Sequence, residues 1–211
     1  MFTGRSNCPS GECSGFAPAQ SITMKNMTGS DAVHHSTDQW NSTAALLAAV
    51  PAPAGREAVW AQTLAFLEAG HHDGAHLVAS VLVVDAGGFV LLARHRRYPQ
   101  WGPLGGHRDP NDASLCATAA RELFEEAGLV AHVQPEPIDV HLSSYRCRTV
   151  AAPVLHLDVQ FVAFATANAP AVVAGDELTG LDWFGARDLP SLTPAAAELV
   201  GLAGAAAALR R

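Results

Sequence analysis

A glycine pair, Gly105-Gly106, followed by Arg121-Glu122-Leu123-Phe124-Glu125-Glu126-Ala127-Gly128-Leu129, constrains this chain more than any other stretch. A helix turns once in about 3.6 residues, so Glu122, Glu125 and Glu126, at i, i+3 and i+4, share one face. Like charges at that spacing repel by roughly a few tenths of a kcal/mol per pair, so the face needs a cation to offset it. Clustered carboxylate oxygens are hard donors, and Mg²⁺ or Mn²⁺ is the matching hard cation. Glycines upstream let backbone approach a bound phosphate or metal closely. The pattern points to metal-assisted chemistry on a phosphate compound.

The rest of the composition narrows the setting. A length of 211 residues suits one domain plus an extension, and 49% apolar residues suffice for a core. A net charge of −7 argues against a protein that coats nucleic acid, which would carry a basic face. No apolar run approaches the length of about 18 residues that a membrane span needs, and the N-terminus lacks a secretory apolar segment. The four cysteines, Cys8, Cys13, Cys116 and Cys147, form no paired Cys-x-x-Cys spacing. A reduced, cytoplasmic setting without a disulfide framework is therefore expected. Cys8 and Cys13 make at most half of a zinc site.

Residues 1–42, rich in Ser, Thr, Gly and Asn, read as a disordered tail, within which Met24 and Met27 are alternative starts. Residues 43–70 read as a helical extension. It comprises one short helix over 44–50, stopped by Pro51, and a second over 58–69, ended by Gly70. Two short helices cannot bury themselves, so they should pack on the domain at 71–211. There, 76–84 and 89–94 read as strands joined by the turn Asp85-Ala86-Gly87-Gly88. The stretch 98–112 reads as loop. Residues 113–127 form the carboxylate helix, starting near Asp112 or Ser114 and stopped by Gly128. Strands over 138–142, 155–165 and 181–184 and a last helix over 194–209 complete a layered α/β domain.

Gly106, five residues, Asp112, and then the run Arg121 to Leu129 resemble the Nudix box. Its second half is matched at every defined position. In the first half Asp112 stands where the family has Glu, and one extra residue separates it from Arg121. Leu91-Leu92-Ala93-Arg94-His95-Arg96-Arg97, Trp101 and Leu104-Gly105-Gly106-His107 resemble the family's lead-in to the box. Ile138-Asp139-Val140-His141, His156-Leu157-Asp158-Val159-Gln160-Phe161 and the helical extension resemble a bacterial subgroup. Leu181-Asp182-Trp183-Phe184 and Asp188-Leu189-Pro190 resemble the closing strand and helix entry, so the likeness spans roughly residues 43–200.

The resemblance implies an α/β/α sandwich with a mixed sheet and hydrolysis of a nucleoside diphosphate linked to another moiety. ADP-ribose-like compounds, nucleotide sugars and nucleoside triphosphates are the candidate substrates, and a homodimer is common in the family. Carried over, Glu122, Glu125 and Glu126 hold Mg²⁺ or Mn²⁺, with the carbonyl of Gly105 as a further ligand. Arg121 orients a carboxylate. The general base stays open between Glu125, Glu126 and a carboxylate from a later loop, where Asp176 and Glu177 stand as loop acids or plain surface charges.

Several residues carry two readings. Strand alternation places Arg94 and Arg96 on one face and His95 and Arg97 on the other, either gripping substrate phosphates or ending a strand in solvent. Trp101 or Tyr98 stacks on a base or packs in the core. His107, His141, His156 and Asp158 are further candidates. His156 and Asp158 share a strand face and, with His141, would take an additional zinc or manganese ion or form a hydrogen-bonded network. Two other functions fit the same fold: a nucleotide-sensing or protein-binding domain without turnover, and an isomerase of prenyl diphosphates. The isomerase needs a placed thiol, and Cys116 lies at the wrong end of the box helix.

Overall fold

The computed structural model describes residues 35–70, 74–97, 99–146, 152–166, 169, 171 and 177–208. Cys8, Cys13, Met24, Met27, Tyr98, Cys147, Asp176 and residues 1–34 of the expected tail lie outside the described residues. In chain order the elements are α1 (Thr37–Ala48), α2 (Glu57–Glu68), β1 (His76–Asp85), β2 (Val90–His95), β3 (Trp101–Gly102) and β4 (Leu104–His107). There follow α3 (Leu115–Ala127), β5 (His132–Val133), β6 (Asp139–Tyr145), β7 (Val154–Ala165), β8 (Leu178–Phe184) and α4 (Pro194–Ala208).

The sheet is mixed, with β1 at its centre. All ten β1 residues are buried, as a strand covered on both faces requires. β1 runs parallel to β7 from His76↔His156 to Asp85↔Ala165. On its other side it pairs antiparallel with β4 through its first half and with β2 through its last residues. The β1–β2 turn forms as its composition dictates, with the Asp85 carboxylate accepting the N–H groups of Gly87 and Phe89 at 2.8 and 2.9 Å.

Strand alternation divides β1 between two cores. Leu77, Ala79, Val81 and Val83 pack with Leu115, Ala119, Leu123 and Ala127 of α3, and with Trp40, Leu47, Trp60 and Leu67 of α1 and α2. Leu82 and Val84 pack with Val90, Leu92 and Val162 and with Leu199 and Ala203 of α4. Helices therefore cover both sheet faces, the expected α/β/α layering.

Two expectations need correction, and one strand is not expected from the sequence. The helical extension starts at Thr37 rather than at residue 43. Ser36 and Gln39 form a reciprocal capping box, Ser36 Oγ accepting Gln39 N–H at 3.2 Å and Gln39 Oε1 accepting Ser36 N–H at 3.0 Å. The expected loop 98–112 contains β3 and β4. Glycine-rich β4 has little strand propensity of its own and is held by its ladder to β1, from Val78↔His107 to Val81↔Leu104. The two-residue strand β5 pairs with β7 at His132↔Phe164 and Val133↔Ala163 and is too short to leave a periodic signature.

The extension docks through Arg56 at the start of α2. Its Nε lies 2.8 Å from Asp139 Oδ1, one Nη lies 2.8 Å from Glu198 of α4, and the other donates to the Val140 carbonyl at 3.1 Å. The Asp139 side chain is 1% exposed, so Arg56→Ala strands a desolvated carboxylate. The expected loss is about 3 kcal/mol of unfolding free energy by urea titration. A loss below about 1 kcal/mol would mean that this bridge does not dock the extension.

Candidate active site

Helix α3 is set by its ends. Ser114 Oγ accepts the Ala117 N–H at 3.1 Å, and Gly128 closes the helix at φ 62° with its N–H on the Phe124 carbonyl at 2.9 Å. This register turns Leu123, Glu126 and Ala127 inward, leaves Glu122 partly buried and exposes Glu125.

One guanidinium organises the carboxylates. An Arg121 Nη donates to Glu122 Oε1 and Glu125 Oε2, both at 2.8 Å. The other donates to the His107 carbonyl at 2.9 Å and to Asp112 Oδ2 at 3.0 Å, and Nε donates to Asp112 Oδ1 at 3.1 Å. Arg121 thus positions Glu122 and Glu125 and ties α3 to the end of β4. Burial pulls Asp112 upward, but the Arg121 hydrogen bonds carry it below the usual carboxylate range. Burial likewise weakens the charge of Arg121, and its bonds to Asp112 and the charges of Glu122, Asp112 and Glu125 more than restore it.

The glycine pair explains why the carboxylates sit so close to β4. A Cβ at Gly106 would collide with the Glu122 carboxylate. A Cβ at Gly105, whose φ is 156°, would collide with the Ala79 carbonyl oxygen on β1. The Gly105 N–H donates to Glu126 Oε2 at 2.9 Å. Gly105 therefore admits only glycine, whereas a side chain at Gly106 would displace the Glu122 carboxylate from its place beside β4.

Burial, with the charges of Glu122, Glu177 and Glu125, pushes Glu126 up to about 8 against the pull of the Gly105 N–H. Burial raises Glu122 to about 6 despite Arg121. Two neighbours complete the surroundings. The Arg96 N–H donates to the Glu177 carbonyl at 2.9 Å, bringing Glu177 beside β2 close enough to act on Glu126. His95 Nε2 lies 3.5 Å from Glu126 Oε1, and burial lowers the basicity of that imidazole. The sequence places His95 with Arg97 on one strand face as a candidate grip on substrate phosphates and gives no sign that it would neighbour Glu126. Alternation along β2 puts Leu91, Ala93 and His95 on the face toward α3, and the register shift in the β2–β8 ladder leaves Thr179 of β8 as the extra residue.

Arg94 and Trp101 are engaged with one another and with β8. The Arg94 guanidinium lies 5.6 Å from the Trp101 ring centre and donates to Thr179 Oγ1 at 3.2 Å. Trp101 packs edge-on against Phe184 at 4.9 Å and joins the core beneath α4, the packing role among its two readings.

The additional metal set His141, His156 and Asp158 is corrected. Among the described residues, the three side chains that bring potential ligand atoms within 4.8 Å of one another are His76, His107 and His156. The ladder explains the change. His141 sits opposite Asp158, whose Oδ2 accepts from Ser80 Oγ at 3.0 Å and Gln160 Nε2 at 2.9 Å. His156 instead neighbours His76 across the parallel β1–β7 pair. Burial and the neighbouring imidazoles lower His107 to about 4, and burial lowers His156 to about 4.

A family model of the NUDIX domain matches residues 74–202. The chain belongs to the Nudix family. Nudix proteins of the general kind are hydrolases of phosphoric anhydride bonds that act on nucleoside diphosphate derivatives and use divalent metal ions. Among solved structures, the NUDIX domain of Shewanella oneidensis NrtR, complexed with ADP ribose, is 19% identical with a TM-score of 0.50, covering 61% of this chain and 86% of that one. A NUDIX family hydrolase from Clostridium perfringens is 22% identical with a TM-score of 0.50, covering 61% and 95%. At these identities the likeness is one of fold. No curated protein matches the sequence. Among the described residues, no helix of this Nudix protein is long and apolar enough to cross a membrane.

Proposed function

We propose that this Nudix protein is a metal-dependent pyrophosphohydrolase that cleaves a nucleoside diphosphate linked to a second moiety. The observation that carries the reading is the set of α3 carboxylates pinned by Arg121 against Gly105-Gly106, with Glu126 held on a backbone N–H. The donor chemistry of these residues suits a hard divalent cation. In the metal-free chain Glu122 and Glu125 are held by Arg121, and Glu126 by the Gly105 N–H, rather than converging on one point. They offer oxygen donors, and burial makes Glu122 and Glu126 hold protons more tightly than carboxylates ordinarily do, a cost that a bound cation would offset.

Glu122, Glu125 and Glu126, with the Gly105 carbonyl, would hold Mg²⁺ or Mn²⁺, which would offset diphosphate charge and make the attacking water more acidic. Arg121 and Asp112 keep Glu122 and Glu125 in place. The water oxygen forms a bond to one phosphorus as that phosphorus loses its bridging oxygen, giving a monophosphate and a phosphorylated partner. Glu125, Glu126 or Glu177 accepts the proton of that water.

The S. oneidensis NrtR domain was crystallised with ADP ribose, which makes that compound the first to test. A panel of ADP-ribose, nucleotide sugars and nucleoside triphosphates with added Mg²⁺ should yield a monophosphate product from at least one class. Binding without turnover across the whole panel would instead favour a nucleotide sensor.

Metal binding should depend on pH in a defined direction. Glu126 rises to about 8 and Glu122 to about 6 in the folded, metal-free protein, from an ordinary value of 4.5. Between these limits the folded state binds more protons than the unfolded state, so metal-free stability falls as pH rises through the window. A cation replaces those protons, so the Mg²⁺-induced rise in Tm should be larger at about pH 8.5 than at about pH 5.5. An increment that is flat or shrinks over this range would place the ion elsewhere.

A further inference from the structure

We propose that His76, His107 and His156 form a second metal site, selective for Zn²⁺ and similar borderline ions, on the sheet face opposite the carboxylate helix. The placement follows from the ladders. Leu77 and Ala79 of β1 and Gly106 of β4 face α3, so the adjacent His76 and His107 project to the other side. His156 is the cross-strand neighbour of His76 in the parallel β1–β7 pair. Three strands from distant parts of the chain thus deliver three imidazoles to one point.

The geometry suits a single ion. One ring nitrogen from each histidine lies within 4.8 Å of the other two, and His76 Nδ1 and His107 Nε2 are 3.1 Å apart. Two ligands at tetrahedral Zn–N distances stand about 3.3 Å apart, within reach of side-chain rotation here. Imidazole nitrogens favour zinc, cobalt or nickel over magnesium or calcium, so the site would not compete with the carboxylates for the same ion.

His156 supplies the independent observation. Its Nδ1 lies 2.9 Å from the Val154 carbonyl, which can only accept, so Nδ1 carries the hydrogen. In the neutral ring Nε2 then bears a lone pair, and this atom is buried with no hydrogen-bond partner. His156 is 0% exposed, so the orphaned acceptor is costly, and a cation would satisfy it. A backbone carbonyl on the far nitrogen is also how metal-binding histidines are oriented. Tyr145 stacks on the ring at 3.7 Å and 8°, holding its plane. The consequence reaches the carboxylates, because His107 follows Gly106 on β4 and its carbonyl accepts from Arg121. An ion at the histidines would fasten β4 to β1 and β7 from behind.

The test uses the untagged full chain, loaded with Zn²⁺ and dialysed against metal-free buffer. Elemental mass spectrometry should find about one zinc per chain, and Co²⁺-loaded protein should show the visible absorption bands of a tetrahedral site. His107→Ala and His156→Ala should each lower retained zinc at least about tenfold, whereas Glu126→Gln should retain it. Circular dichroism checks each variant, and the less buried His107→Ala decides alone if His156→Ala does not fold. Less than about a tenth of an equivalent in the wild type, unchanged zinc in folded His107→Ala, or loss of zinc in Glu126→Gln would overturn the proposal.

Discussion

Glu126→Gln should lower kcat by about 10³-fold or more on whichever diphosphate the wild type cleaves. The amide keeps the size of the side chain, and its oxygen can still accept the Gly105 N–H that holds Glu126 Oε2 at 2.9 Å. What disappears is the negative charge and the capacity to take a proton. Glu126 is buried among Glu122, Glu125 and Glu177, so a neutral side chain also relieves repulsion there. The metal-free variant should therefore be more stable than the wild type above about pH 8, where the native carboxylate is ionised. Opposite movements of activity and Tm would identify a group whose burial serves chemistry. A variant keeping more than about a tenth of wild-type kcat would refute the site.

Arg121 should show the second large effect. Arg121→Ala removes the cation shared by Asp112, Glu122 and Glu125 and the donor to the His107 carbonyl. Asp112 and Glu122 are 9% and 13% exposed at their side chains, so their charges would be left largely desolvated. The metal-free protein should lose about 3 kcal/mol in urea unfolding, with added Mg²⁺ restoring part of it. Because Glu122 and Glu125 would drift from their places, kcat/KM should fall about 10²-fold. Arg121→Lys keeps a positive charge but cannot span two carboxylates on one nitrogen and a third with a carbonyl on the others. It should lie between wild type and Ala, and a Lys variant equal to wild type would mean that charge alone suffices.

Much of this was legible before any coordinates, and the legible parts are local. The spacing of Glu122, Glu125 and Glu126 is a property of one helix, and Ser114 and Gly128 mark its ends through bonds to residues within four positions. The Asp85 turn is closed by its own side chain. Asp112 shows where reading along the chain stops: one residue out of register with the family's box, it still pairs with Arg121.

The sequence by itself determined the carboxylate face, the glycines that admit it and the layered α/β class, since helical period, turn chemistry and backbone freedom act over a few residues. The tertiary structure decided which side chains join that face and which form a cluster apart from it. His95 meets Glu126 because α3 packs on the β2 face that also carries Leu91 and Ala93, and Glu177 arrives through the β2–β8 edge. His76, His107 and His156 converge because a parallel and an antiparallel ladder fix the register of three strands. A one-residue slip in either would turn one of those rings to the opposite face, and register is set by the packing of both cores rather than by any one strand's residues.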